Sequence, residues 1–289
     1  MRCAACGGAE LRPGLRVAGH LGKDGLIPTT DQFGVALGDF LRCVACGHLQ
    51  LAAMPELASL YEEAASDDYE AEEEGQRITA RRDLGRLEHH APARGRLLDL
   101  GCWVGFLASE ASARGWEVVG VEPSRWAAER ARARGVEVVD EPSGRFDALV
   151  LGDVIEHLPE PGTALRHVAP GGLVWIATPD AGSRLARVLG RRWWSVIPTH
   201  LHLFTRRSLR ALLERHGFEV LAIGSSPKTF TVAYYLERLG GYWPPLARAL
   251  VAAAGALGVA ERQWTPDFRD RFYVVASRAG ARGPAGDAR

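Results

Sequence analysis

From Arg96 onward the chain alternates short apolar runs with stretches whose apolar positions recur every three or four residues. The runs Arg96 to Leu100, Glu117 to Glu122, Val136 to Asp140, Phe146 to Leu151, Leu173 to Thr178, Glu219 to Gly224 and Phe272 to Ser277 predict strands. The stretches Gly105 to Arg114, Ser124 to Arg134, Ser183 to Leu189 and Thr205 to Gly217 predict helices. In the last of these Thr205 is placed as the cap, Leu209, Leu212 and Leu213 form the apolar stripe, and Gly217 is the stop. Strands alternating with amphipathic helices predict an α/β fold with a parallel sheet. Seven strands are too few for an eight-fold barrel and suit a doubly wound, Rossmann-like sheet over residues 93–279, followed by a flexible tail at 280–289.

The first 54 residues follow a different rule. Cys3-Ala4-Ala5-Cys6-Gly7 and Cys43-Val44-Ala45-Cys46-Gly47 are two Cys-x-x-Cys-Gly knuckles. Each knuckle can bring two thiolates to one metal, and the glycine after the second cysteine permits the turn that aims backbone amides at sulfur. Four soft ligands, Cys3, Cys6, Cys43 and Cys46, point to a structural zinc in a zinc-ribbon-like module. Two redox dithiols, or cysteines buried as small apolar side chains, are the alternatives. The 36 residues between Cys6 and Cys43 predict strands and a loop of their own. Residues 55–92 read as a helical connector, and its acidic run from Glu62 to Glu74 as a solvated face. Tyr61 and Tyr69 lie in that connector and read as packing residues, with reach over a neighbouring active site as the alternative.

Composition narrows the classes. In 289 residues, hydrophobic side chains make up 47% and charged ones 24%, enough for a substantial core, and the net charge is zero. That balance argues against nucleic acid as a partner. The apolar stretch around Pro245 to Ala260 is interrupted by Arg248, so no membrane span is expected, and the expected location is cytoplasmic. Lys23 and Lys228 are the two lysines among 35 basic residues.

In an open parallel sheet, ligands lie beyond the carboxyl ends of the strands. Asp99-Leu100-Gly101-Cys102-Trp103-Val104-Gly105 follows the first strand, Glu122-Pro123-Ser124 ends the second, Asp140-Glu141 the third and Asp153-Val154-Ile155-Glu156-His157 the fourth. With Pro170-Gly171-Gly172 and His200-Leu201-His202-Leu203-Phe204-Thr205, these segments resemble the class I S-adenosylmethionine-dependent methyltransferases over about Leu57 to Arg278. The resemblance is to the subgroup with an N-terminal two-knuckle zinc module. It implies that S-adenosylmethionine is held by Asp99, Gly101, Trp103, Gly105, Glu122, Asp140 and Asp153. Glu122 would take the ribose hydroxyls, Asp140 or Glu141 the adenine amino group and Asp153 the methionyl ammonium. Trp103 stands where the family usually has glycine, so it turns outward or flanks the sulfonium, or it fills the cofactor pocket.

The reaction implied is in-line methyl transfer to a nucleophile. A hydroxyl acceptor needs a base, and His202, then His200 and His157, are the candidates. The run Gly190 to Pro198, with Arg191, Arg192, Trp193 and Trp194, is a candidate sugar or phosphate grip or a packed lid, and Pro227 to Trp264 a candidate acceptor wall or homodimer surface. Related sugar C-methyltransferases carry a further C-terminal domain, whereas this sequence stops after the presumed last strand. The expectation is therefore O-methylation of a small molecule, a sugar, glycan or secondary metabolite. C-methylation of a nucleotide-linked keto sugar and a catalytically inactive scaffold are the alternatives.

Overall fold

The structure is a computed structural model that describes residues 1–19, 34–54, 61–62, 64–91 and 93–280. The predicted loop between the knuckles lies largely outside the described residues, and so do the C-terminal tail and the side chain of Tyr69.

Three N-terminal strands, β1 (Leu11–Leu15), β2 (Phe40–Cys43) and β3 (Leu49–Leu51), pair antiparallel. Helix α1 (Glu73–Glu88) precedes the main sheet, which begins with β4 (Arg96–Leu100), α2 (Phe106–Ser112), β5 (Glu117–Val121), α3 (Arg125–Ala133) and β6 (Glu137–Val139). There follow β7 (Phe146–Gly152), β8 (Val168–Pro179), α4 (Arg184–Leu189), the two-residue β9 (His202–Leu203), α5 (Arg206–Arg215) and β10 (Phe218–Ser225). An inserted pair of helices, α6 (Val232–Arg238) and α7 (Pro244–Ala256), separates β10 from the last strand, β11 (Arg271–Arg278).

The seven-stranded sheet runs β6-β5-β4-β7-β8-β11-β10, with β11 antiparallel to both neighbours. The strand order reverses between β4 and β7, so the crevice beyond their carboxyl ends is where a ligand belongs. Both faces are covered, which is why the strands read as apolar runs. Leu98, Leu149, Leu151, Val174 and Ile176 pack with Leu209, Leu212 and Leu213 of α5. Leu97, Val150 and Trp175 pack on the other face with Leu84 and Leu87 of α1 and Ala108 of α2. The predicted cap of α5 is present as a reciprocal capping box between Thr205 and Ser208.

Two long-range contacts tie the N-terminal segment to this sheet. Strand β9 adds to the edge of β3, pairing His202 with Gln50 and Leu203 with Leu49. Arg215 of α5 donates to the carbonyl of Ala4 at 3.2 Å.

The acidic run differs from its expectation as a solvated face. Glu72 is buried and accepts from the Thr231 amide at 2.7 Å and its hydroxyl at 2.6 Å. Glu70 takes Arg130 at 2.6 Å and Arg134 at 2.7 Å, which clamps α3. These carboxylates satisfy donors presented by distant segments, so only packing reveals their use.

Candidate active site

Beyond β4 the chain turns sharply. Gly101 has φ +73°, and a Cβ there would stand 2.5 Å from Val154 Cγ2 on the neighbouring turn, so this position excludes a side chain twice over. Trp103 is also left-handed, at φ +49°, a conformation that costs a non-glycine residue about 1–2 kcal/mol. What holds it there is Glu122, whose Oε2 accepts the Trp103 amide at 2.8 Å while Oε1 accepts the Ser124 amide at 2.9 Å. The indole packs on Trp126 of α3, with centroids 5.5 Å apart. Glu122 keeps further lone pairs for two hydroxyl donors, because a carboxylate accepts at about four positions.

Asp99 is 4% exposed, and its Oδ2 has no hydrogen-bond partner among the described residues. Burial, with Glu122 adding repulsion, pushes its carboxyl up to about 7. A buried carboxylate in that state fits a cationic ligand. Asp140 is exposed at the end of β6.

Beyond β7 the arrangement departs from the sequence expectation. Asp153, left-handed at φ +59°, pairs with Lys228 at 2.6 Å and Arg271 at 2.5 Å. The two cations hold its carboxyl well below the usual carboxylate range despite burial. Its negative charge is thus balanced by two cations of the protein, whereas Asp99 is a buried carboxylate with an oxygen that accepts no hydrogen bond among the described residues. Sequence reasoning missed Lys228 and Arg271; that Lys228 is one of two lysines in an arginine-rich chain was the available signal.

The three histidines separate by their ring nitrogens. His157 Nδ1 lies 2.9 Å from the Thr199 carbonyl oxygen, which can only accept, so Nδ1 carries the proton and Nε2 the lone pair. Tyr61 Oη sits 2.9 Å from the same nitrogen, so this connector tyrosine reaches back to the candidate site. His200 donates from Nδ1 to the Ser195 carbonyl at 2.7 Å, again leaving a lone pair at Nε2, 4.0 Å from Glu156. His202 is different. It is fully buried, its Nε2 faces the Pro159 carbonyl at 3.4 Å, and its Nδ1 accepts from His48 at 3.1 Å. In that tautomer both ring nitrogens are engaged, and His202 links β9 to the N-terminal module. Burial pushes His157 down to about 4 and His200 to about 3, so both are neutral near pH 7. Burial and Asp153 push Glu156 up to about 8, which keeps it protonated there. The rings of His157 and His200 meet edge to face, with centroids 4.7 Å apart.

The aromatic residues proposed to grip or wall the acceptor divide. Trp193 is buried, with its Nε1 3.4 Å from Asp270, which makes it packing. Tyr235 donates to the Lys228 carbonyl at 2.7 Å, whereas Trp243 is 62% exposed and walls nothing within its own chain.

In the N-terminal module the four knuckle cysteines converge. Sγ atoms of Cys3 and Cys46 are 3.6 Å apart, as are those of Cys6 and Cys43, and all four lie within 4.8 Å of one another. The edge of a tetrahedron with Zn–S bonds of about 2.3 Å is about 3.8 Å, so the donor set fits zinc and is too open for disulfides. Gly7 and Gly47 donate to the carbonyls of Cys3 and Cys43, each at 2.9 Å, so the two knuckles share one turn geometry.

A methyltransferase-domain family model matches residues 71–223, more than half of the chain. A ubiquinone biosynthesis O-methyltransferase of Alkalilimnicola ehrlichii is 32% identical over 169 residues, covering 51% of this chain and 66% of that protein. One from Chromobacterium violaceum is 27% identical over 145 residues, covering 43% and 62%. The chain thus spans less than two thirds of either relative. Among solved structures, the complex of the Haloferax volcanii Trm112 methyltransferase activator with its methyltransferase has a similar fold. Its TM-score is 0.50 at 16% identity, covering 79% of this chain and 100% of that one. The glycine turn at Gly101, the carboxylates beyond β4 and β5 and the matched domain agree: the chain belongs to the methyltransferase-domain family.

Proposed function

We propose that the chain methylates a hydroxyl of a small molecule, a sugar, glycan or secondary metabolite, with His157 as general base and zinc as a structural ion on Cys3, Cys6, Cys43 and Cys46. The observation that carries this reading is the pair of neutral imidazoles, His157 and His200, whose lone pairs are left at Nε2 by carbonyls fixed on Nδ1. The O-methyl transfer named for the relatives favours oxygen over carbon as the acceptor atom.

S-adenosylmethionine supplies an electrophilic methyl group on a sulfonium. Gly101 and Gly105 would admit it closely, Glu122 would hold its ribose, Trp103 would flank it, Asp140 would take its adenine, and Asp99 would meet its positive charge. His157, partly exposed beyond β7, would take the hydroxyl proton at Nε2, its ring held by the Thr199 carbonyl and the edge of His200. Lys228 and Arg271 fix the Asp153 turn from which His157 projects.

Two outcomes test the assignment. His157→Ala is expected to lower kcat by about 10²–10⁴-fold with unchanged affinity for S-adenosylhomocysteine. His202→Ala is expected instead to leave the His48 donor unsatisfied and destabilise the fold by about 1–3 kcal/mol, read by denaturant unfolding, while kcat holds. The reverse pattern would return the base role to His202. Deuterium exchange from solvent into the acceptor carbon without methyl donor would instead indicate C-methylation.

Asp99 predicts a pH dependence of cofactor affinity. Its carboxyl is raised to about 7, and the cationic cofactor needs it ionised, so the proton competes with the ligand. Affinity for S-adenosylmethionine is expected to fall about tenfold per unit as the pH drops below about 7, and Asp99→Asn to flatten that slope. Calorimetric titrations across that range check both.

A further inference from the structure

The helical insertion before β11 leaves a surface that the methyl-transfer site does not use. Helix α7 has the sequence of a buried helix, Pro-Pro-Leu-Ala-Arg-Ala-Leu-Val-Ala-Ala-Ala-Gly-Ala, yet the side chains it buries are Ala247 and Ala254. Around it, Val188 is 82% exposed, and Trp264 and Phe268 are each 47% exposed alongside Trp243. These groups connect across separate segments. Phe268 and Arg269 line a cavity of about 360 Å³ with Arg184 and Leu185 of α4. The Phe268 ring lies 5.9 Å from Trp194 and 6.2 Å from Tyr235, which itself lies 5.5 Å from Trp264. Tyr242 donates to the Arg192 carbonyl at 2.5 Å and so joins the insertion to the loop after α4.

The charges beside these apolar groups are mostly of one sign. Arg184, Arg191, Arg192, Arg248, Arg262 and Arg269 are exposed on the same segments. The acids there are Glu237, Glu261 and Asp267, and Asp267 is already occupied by the Ser225 hydroxyl and the Arg269 amide. Exposed aromatic and aliphatic side chains on the same segments as exposed arginines supply the two attractions of an anionic lipid interface, apolar insertion and guanidinium contact with phosphate.

We propose that this face, formed by α4, the loop after it and the α6–α7 insertion, docks the protein peripherally on an anionic lipid surface. Charge decides against a second copy of the chain as occupant, since an isologous pairing would set arginine against arginine. The exposed aliphatic groups, Val188 above all, suit hydrocarbon and offer nothing to a nucleic-acid backbone. The proposal does not depend on which acceptor is methylated.

Flotation of the full chain with phosphatidylcholine vesicles, with and without phosphatidylglycerol, tests it. Binding is expected on the anionic vesicles, much weaker on neutral ones, and lowered by salt. A Val188→Ser, Phe268→Ser double variant is expected to lose about tenfold in partitioning with an unchanged circular dichroism spectrum and unchanged affinity for S-adenosylhomocysteine. Arg248→Gln with Arg269→Gln is expected to weaken binding to anionic vesicles alone. Failure of the folded wild type to bind anionic vesicles would overturn the proposal. So would a concentration-dependent dimer that the Val188 and Phe268 changes dissociate without any effect on vesicle binding.

Discussion

Stripping the four-cysteine site with a chelator is expected to lower the melting transition of the whole chain, not of the N-terminal segment alone. Zinc binding to isolated cysteine-rich modules is worth about 10–16 kcal/mol, comparable to the entire stability of about 5–15 kcal/mol of an ordinary domain. Bound here, a zinc ion would share that energy with the main sheet. Cys3, Ala5, Cys43 and Cys46 pack in the same apolar cluster as Leu98 of β4 and Phe204, Leu209 and Leu212 at α5. The β3–β9 pairing and the stacked rings of His48 and His202 continue the connection toward the His200 loop. Loss of the ion should therefore release β9 and, with it, the segment that holds His200 and the Thr199 carbonyl. Differential scanning calorimetry with and without chelator, beside a metal analysis expected to give one zinc per chain, makes the comparison. A main transition unmoved by chelation would make the module an independent appendage, and a metal-free native protein would replace zinc with four thiols. Cys43→Ser is expected to reproduce the chelator's effect.

Glu122→Ala is expected to weaken S-adenosylhomocysteine binding by about a hundredfold or more. Two ribose hydroxyls donating to a carboxylate are worth about 1.5–3 kcal/mol each, and either one at the middle of that range is more than tenfold. A second loss compounds the first. The same carboxylate fixes the amides of Trp103 and Ser124, so its removal also releases the left-handed Trp103 and loosens the turn that the cofactor must approach. Glu122→Gln retains the shape but points an amide group at one of two backbone donors, and an intermediate loss is expected. Calorimetric titration of each folded variant reads the series. Full affinity in Glu122→Ala would place the ribose elsewhere and remove the ligand role from the end of β5.

Trp103 stands at a position where the family pattern has glycine, and its ring and amide both have partners. The ring packs on Trp126 of α3, and the Glu122 oxygen holds the amide against the backbone strain. Both partners lie within 23 positions of Trp103, yet neither pairing follows from periodicity, because each depends on how β4, β5 and α3 meet in space.

The sequence by itself determined the alternation of strands and helices, the seven-stranded sheet, the knuckle cysteines and the positions of Gly101 and Glu122. Those features are local: an apolar period, a cap, a turn that tolerates only glycine, or a spacing that puts two thiols on one ion. Tertiary structure alone decided which histidine keeps a lone pair, since that depends on whether each nitrogen faces a carbonyl, and the carbonyls of Thr199, Ser195 and Pro159 are delivered by folded loops. It likewise decided that Asp153 answers to Lys228 and Arg271, and Glu72 to Thr231. A charge in a sequence is satisfied by whatever the packing brings within about 3 Å of it, and across 74 or more intervening positions only the fold sets that distance.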